Sequence, residues 1–481
     1  MRTINRDILK LALPSILANI TVPIVGMVDI AVAGHLDSNA ATMIGGIAIG
    51  TMLFDLLYWN FGALRVSTGG LTAQAFGRGD MKECSRIFTR SVGVALMCAL
   101  VLLLIQWVFV KAAFLVVDCT PQVQELATRY FFVRIWAAPA TLSLMSFKGW
   151  FIGMQDSVSP MATDLVVNGM NILMSFVLAL GVPGVLDPMG FKGIAMGTVV
   201  AQWSGLTVAF ILLLARYRRR TFSGFTRRDA MESFRGAEIR HFFVMNTDLF
   251  IRSLCFIAIY IGFTTISARY GDLLLAVSSI MMKILMIFSY FTDGFAYAGE
   301  ALTGRYIGAQ DKPMVRQTVK WTFIWSMAIA VIFMGIYHFG GVPLVRMMTS
   351  DAAVVEQSKE FLPWLLLMPV VGCAAFTWDG IYVGATASKA IRNAMLWAVV
   401  AFVAVWAAGM GLLHFVPGLE FIPAPVQGMN EAASASGGAA TRYGILAMHV
   451  LMAAYFAHLV ARTVHLTFRY RKIVLDFQCA I

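Results

Sequence analysis

Charge is what this 481-residue chain has least of: Asp, Glu, Lys and Arg make up 13% of it, 59% is hydrophobic, and the mean hydropathy is +0.76. Soluble domains carry roughly 25% charged residues, so a water-exposed globular fold is excluded and a polytopic membrane protein is expected. Cysteine is sparse as well. Cys84, Cys98, Cys119, Cys255, Cys373 and Cys479 show no CxxC spacing and fall mostly in or beside apolar runs, which argues against a disulfide framework and a zinc site. Cys479 stands one position short of a prenylation box. The seven histidines show no HExxH or paired spacing, and no phosphate loop or nucleophile elbow occurs. No metal, no cofactor and no enzyme activity is therefore expected, and energy should come from an ion gradient. The first apolar run is too long for a cleavable signal and lacks a small-residue cleavage site.

What the chain does have is a series of long apolar runs. A span needs about 20 apolar residues. Twelve runs qualify, near 8–34, 41–68, 88–113, 124–154, 160–182, 192–215, 240–268, 273–300, 318–345, 356–386, 391–415 and 442–465. Basic residues gather on one side of them: Arg2 to Lys10, Arg78 to Arg90, the segment 216–240, Arg305 to Lys320, Lys389 and Arg392, and a tail group from Arg462 to Lys472. The opposite loops hold Lys111, Lys192, Arg269, Arg346, Lys359 and Arg442. The positive-inside rule then places both termini in the cytoplasm and explains the net charge of +11 without nucleic acid.

The sequence also repeats. LTAQAFGRGD at 71–80 matches LTGRYIGAQD at 302–311, and 302 − 71 = 231; KGWFIG at 148–153 matches DGIYVG at 379–384, and 379 − 148 = 231. GVPGVLDP from 181 resembles FVPGLEFIP from 415. Duplicated halves follow, each with six spans and so both the same way up. The expected domains are 1–215, a basic cytoplasmic linker at 216–239, 240–465, and a cytoplasmic tail at 466–481. The linker reads as a topological signal attracted to anionic lipid, at about 1 kcal/mol per basic residue near the surface. The loop 416–441 reads as an outward excursion without a defined role.

Polar residues inside the spans are the candidates for function, because Asp at mid-span costs about 3 kcal/mol on insertion scales. Asp29 lies in the first span, six residues after Pro23, a candidate hinge because proline removes a helical hydrogen bond. Asp164, Asn168, Asn171 and Ser175 follow spacings of four, three and four and share one helical face, which must line a cavity or another helix. The asparagines serve either an ion site or interhelical bonding. Asp248 precedes Arg252 by four residues, as a titrating acid or as half of an intrahelical ion pair. Lys283, Tyr290, Asp293, Tyr297 and Glu300 lie on one broad face of the eighth span. Two acids and two aromatics there suit a cation held by charge and ring quadrupole; alternatively Lys283 neutralises Asp293, or Glu300 is a helix-end charge. Lys148 and Asp379 are equivalent by the 231 offset, facing each other or each serving its own half, and Asp55 and Arg65 on the second span are open in the same way, Arg65 either lining a substrate cavity or pairing with an acid on another helix.

VDIAVAGHL, STGGLTAQAFGRGD, TDGFAYAGEALTGRYIGA and WDGIYVGAT together resemble the multidrug and toxic compound extrusion (MATE) family, and within it the DNA-damage-inducible F branch. The resemblance implies an all-α membrane protein of twelve transmembrane helices in two pseudo-symmetric six-helix bundles, forming a V around a central cavity. It also implies export of amphipathic, cationic small molecules in exchange for protons, with sodium as the alternative ion. Asp29 matches the family's first-helix acid and Asp379 its tenth-helix acid. Where many members carry an Asp four residues after Asn171 this chain has Ser175, which disfavours a sodium site of the family type. The expected protein is a monomer of the bacterial inner membrane, in contact with lipid. A lipid-linked-precursor flippase and a non-transporting receptor or scaffold rank below that reading.

Overall fold

The computed structural model describes residues 2–34, 40–115, 117, 119–415 and 442–476. Its helices are α1 (Arg2–Gly34), α2 (Ala40–Gly77), α3 (Met81–Ala113), α4 (Pro121–Arg134), α5 (Ala138–Gly153), α6 (Val158–Leu180), α7 (Phe191–Tyr217), α8 (Arg227–Glu232) and α9 (Ala237–Ala268). They continue with α10 (Asp272–Gly308), α11 (Lys312–Met348), α12 (Ala352–Gly384), α13 (Ser388–Leu413) and α14 (Arg442–Tyr470). Among the described residues no strand occurs beyond an isolated bridge between Val182 and Leu186. Eleven helices there are long and apolar enough to cross a membrane.

The span expected at 124–154 is divided. α4 and α5 meet at a 3-10 turn over Ile135–Ala137. Pro139, in the first turn of α5, has no N–H for the carbonyl four residues back at Ile135, so one bond of the α ladder is missing at this junction. α2 and α10 instead overrun their expected apolar limits, ending at Gly77 and Gly308 rather than at 68 and 300. α14 likewise passes the expected limit of 465 and closes in a π turn, Arg471–Leu475. The loop 416–441 lies outside the described residues.

The chain forms two compact units. One holds residues up to 250 with 297–315 and 383–386; the other holds 251–296, 316–382 and everything from 387 on. The first unit has one core around Phe54, Tyr130 and Phe131 and another around Phe88, Trp150 and Tyr217. The second is built on Phe263, Phe288, Tyr337 and Phe361. Outward faces carry large apolar side chains such as Trp107, Phe339 and Phe468, as contact with lipid requires.

Lipid is as apolar as leucine, so membrane helices associate through close backbone approach and interhelical hydrogen bonds. The 231-residue repeat shows how this is done within the first unit. A Cβ on Gly77 of α2 would lie 1.9 Å from the Arg305 carbonyl oxygen of α10, and one on Gly308 would lie 2.1 Å from that of Gln74. Since 77 + 231 = 308 and 74 + 231 = 305, the two contacts are one contact made twice. The turns that follow match too. Gly79 and Gln310 both take positive φ, +77° and +57°. Asp80 then accepts the Glu83 amide at 2.9 Å, and Asp311 that of Met314 at 3.0 Å.

The linker is held down by its acids. Thr226 and Asp229 form a capping box on α8. Asp229 takes Lys82 of α3 at 2.6 Å, Arg86 reaches Asp229 and Glu232, and Arg90 donates to the Ser233 carbonyl at 2.8 Å and to Glu238 at 2.8 Å. Lys82 and the Thr226 hydroxyl and amide hold the Asp229 carboxyl well below its usual range. Among the described residues Arg218, Arg219, Arg220, Arg227, Arg235 and Arg240 make no ion pair. Arg90 is therefore no solvated loop charge, as its place in the sequence suggested, but is 2% exposed.

Candidate functional site

Asp29 is turned inward. On α1 the stretch 20–27 is largely exposed, with Met27 at 71%, whereas Asp29 is 7% exposed. Its carboxylate accepts the Ser175 hydroxyl of α6 at 2.9 Å. Among the described residues no cation stands within ion-pair distance of it; Arg134 of α4 acts on it electrostatically from further off. Arg134 donates to the Tyr130 hydroxyl at 3.0 Å and lies over the Phe54 ring at 4.8 Å. α1 runs unbroken through Pro14 and Pro23.

The polar face of α6 divides its labour. Asn168 donates to Thr21 of α1, and Asn171 donates to Thr198 of α7 at 2.9 Å while its own Oδ1 is buried with no partner among the described residues. Asp164, the first of the four, is taken by Lys148 of α5 at 2.7 Å. Asn168, Asn171 and Ser175 thus line up with Thr21, Asp29 and Thr198 on three helices of the first unit.

A second cluster joins α2 to α10. Arg65 Nη1 lies 3.1 Å from Glu300 Oε2, and the same guanidinium sits 4.4 Å from the Tyr297 ring centroid. The acid-and-ring face expected to hold a cation from outside thus holds one from the chain. Glu300 is 1% exposed and so is not a solvated helix-end charge. Tyr290 and Asp293 are half-buried on the same helix, Lys283 is exposed and Asp248 is buried.

In the second unit Asp379 of α12 accepts Arg252 of α9 at 2.8 Å and Arg462 of α14 at 2.5 Å. Lys148 and Asp379, the equivalent pair, are each ion-paired within their own unit, and Arg252 donates to Asp379. Arg462 is a correction: grouped by sequence with the tail, it is 2% exposed inside α14. Its position within the apolar run 442–465 carried that signal. Arg134 is a further half-buried cation that the sequence reading did not single out, although it lies ten residues inside the expected span 124–154.

The MatE family profile matches residues 14–177 and 249–407, one stretch in each repeat. The DNA damage-inducible protein F of Escherichia coli K12 is 32% identical over 408 residues, 85% of each chain. A probable multidrug resistance protein NorM of Thermotoga maritima is 22% identical over 84% of each. A solved outward-facing multidrug resistance MATE family transporter of the MOP superfamily has a TM-score of 0.81 at 14% identity, over 99% of this chain and 97% of that one.

Proposed function

The chain belongs to the MatE family of membrane transporters, and on that premise we propose that it exports amphipathic, cationic compounds across the bacterial inner membrane in exchange for protons. Both termini and the basic linker face the cytoplasm in this reading, and the working unit is a monomer. The observation that carries it is the Asp29 contact. A buried carboxylate whose partner is the neutral Ser175 hydroxyl, with no ion-paired cation, can take up a proton and so shed the cost of a charge at bilayer depth.

Protonation removes the charge that Ser175 stabilises and changes what α1 must satisfy against α6. Pro23, six residues earlier, leaves its helical turn one hydrogen bond short, so the change is relieved there by bending. In this reading substrate leaves as a cavity of the first unit contracts around the bent α1, and loss of the proton to the cytoplasm resets the cycle. An ion shifts such an equilibrium only through unequal affinity for its two states. One proton crossing 100 mV supplies about 2.3 kcal/mol, a shift of about fifty-fold.

Sodium is the second reading, and one observation favours it. The buried, unpartnered Oδ1 of Asn171 sits on the same helical face as Ser175, so amide, hydroxyl and carboxylate oxygens could be offered together.

The test is efflux of a fluorescent cation from proteoliposomes under an imposed pH gradient or an imposed sodium gradient. Wild type should export under the pH gradient, and Asp29→Asn should insert normally but fall to background. Full export by that variant would overturn the assignment, and export under sodium alone would replace the proton.

A further inference from the structure

Two guanidiniums converge on one carboxylate oxygen in the second unit. Arg252 Nη2 and Arg462 Nη2 both donate to Asp379 Oδ2, at 2.8 and 2.5 Å. Asp379 Oδ1 and the Nε and Nη1 of Arg462 are buried and have no hydrogen-bond partner among the described residues. A guanidinium that meets a carboxylate for structural purposes usually does so as a fork, with two parallel bonds to two oxygens. Here the fork is left open.

The charges do not balance either. Two guanidiniums against one carboxylate leave one positive charge, since 2 − 1 = 1, and neither arginine has a second carboxylate within ion-pair distance among the described residues. His458 and Tyr455, on α14 with Arg462, add no anion; the His458 Nδ1 contacts the Tyr455 carbonyl. Arg462 is 2% exposed and lies 5.9 Å from the Phe376 ring centroid. Buried guanidinium donors without acceptors are costly, and guanidinium is the side chain shaped to hold a planar or tetrahedral oxyanion. Arg252, 27% exposed, gives the cluster an open side.

We propose that the Arg252–Asp379–Arg462 cluster receives the oxyanion head, carboxylate or phosphate, of an amphipathic ligand whose apolar body lies toward Phe376. This deepens the export reading and rests on it for the ligand's role: the compounds carried then include acids and zwitterions as well as cations. Asp379 acts as the internal competitor that keeps the guanidiniums paired until the ligand arrives.

The test uses the full chain in phosphatidylcholine nanodiscs, titrated with 1-naphthylacetate and with its uncharged amide. The acid should bind at least ten-fold more tightly than the amide. Arg252→Gln should weaken the acid at least ten-fold, and Asp379→Asn should tighten it, with thermal melts confirming that both variants fold. Equal affinity for acid and amide, or acid binding indifferent to both substitutions, would overturn the proposal. Nanodiscs with phosphatidylglycerol separate the sources: competition with the acid assigns the site to a lipid phosphate, and indifference assigns it to a carried acid. Proton-driven efflux of the fluorescent cation is scored separately. Its loss with acid binding intact would sink the export reading alone, and the reverse would sink this one alone.

Discussion

Glu300 lies against Gly69, its own equivalent one repeat earlier, since 69 + 231 = 300: a Cβ on Gly69 would stand 2.0 Å from Glu300 Oε1. The missing side chain makes room for a carboxylate that Arg65, one turn before Gly69 on α2, neutralises at 3.1 Å. Gly69→Ala must therefore displace the carboxylate that Arg65 holds. The variant should melt several degrees below wild type in detergent, whereas Gly62→Ala, with nothing within 4 Å of the new Cβ, should not. Equal melting of the two would mean that the packing at Gly69 carries no strain.

Removing one partner of a buried ion pair costs about 3–5 kcal/mol, because the other is left buried and uncompensated. Arg65→Ala should show a loss of that order, with half of the cation–π stack at Tyr297 gone as well. In a double-mutant cycle with Glu300→Gln the coupling should exceed about 1 kcal/mol. Additive losses would show that the pair contributes little beyond each side chain's own packing.

Ser175 sets the chemistry offered to Asp29. Ser175→Ala removes one charge-assisted hydrogen bond, worth about 1.5–3 kcal/mol, and should slow proton-driven export without abolishing it. Ser175→Asp adds a hard anionic oxygen beside Asp29 and should confer export under a sodium gradient at equal pH. No sodium response in a folded Ser175→Asp protein would separate this helix face from ion choice.

Docking of the linker depends on a carboxylate whose pKa is depressed by Lys82. A depressed acid stabilises the folded state above its ordinary value, near 3.9 for aspartate, and the stabilisation is lost as pH falls through the lower folded value. Amide exchange across residues 226–233, corrected for intrinsic rate, should stay flat from pH 8 to about 4 and rise only below that. Asp229→Asn should raise it at neutral pH and speed tryptic cleavage at Arg227 and Arg228. Unchanged exchange in the variant would assign the docking to Glu232 and Glu238.

Much of this was legible beforehand because lipid imposes strict rules. Most spans followed from length and hydropathy, but the break at Ile135–Ala137 did not, since Pro14 and Pro23 lie in an equally apolar run that stays helical. The repeat offset read from short matches reappears in the turns at Gly79 and Gln310. Misreadings arose where a charge's partner lies far off in sequence. Arg462 looked like a loop charge because its partner Asp379 is 83 residues away, and Arg90 because Glu238, to which it donates, is 148 away, although Glu83 on its own helix also stands 3.7 Å from it.

The sequence by itself determined that this chain crosses a membrane many times, that its halves are copies at an offset of 231, and that a few polar side chains at bilayer depth need partners. Those conclusions rest on local rules, since a span must satisfy its own backbone and an intramembrane charge must be compensated. Which partner compensates which charge was decided only by tertiary structure. Asp29 meets a neutral hydroxyl, Glu300 an arginine and Asp379 two arginines. The reason is physical: an ion pair depends on a few ångströms between side chains, and that distance is set by how helices pack rather than by where their residues fall along the chain.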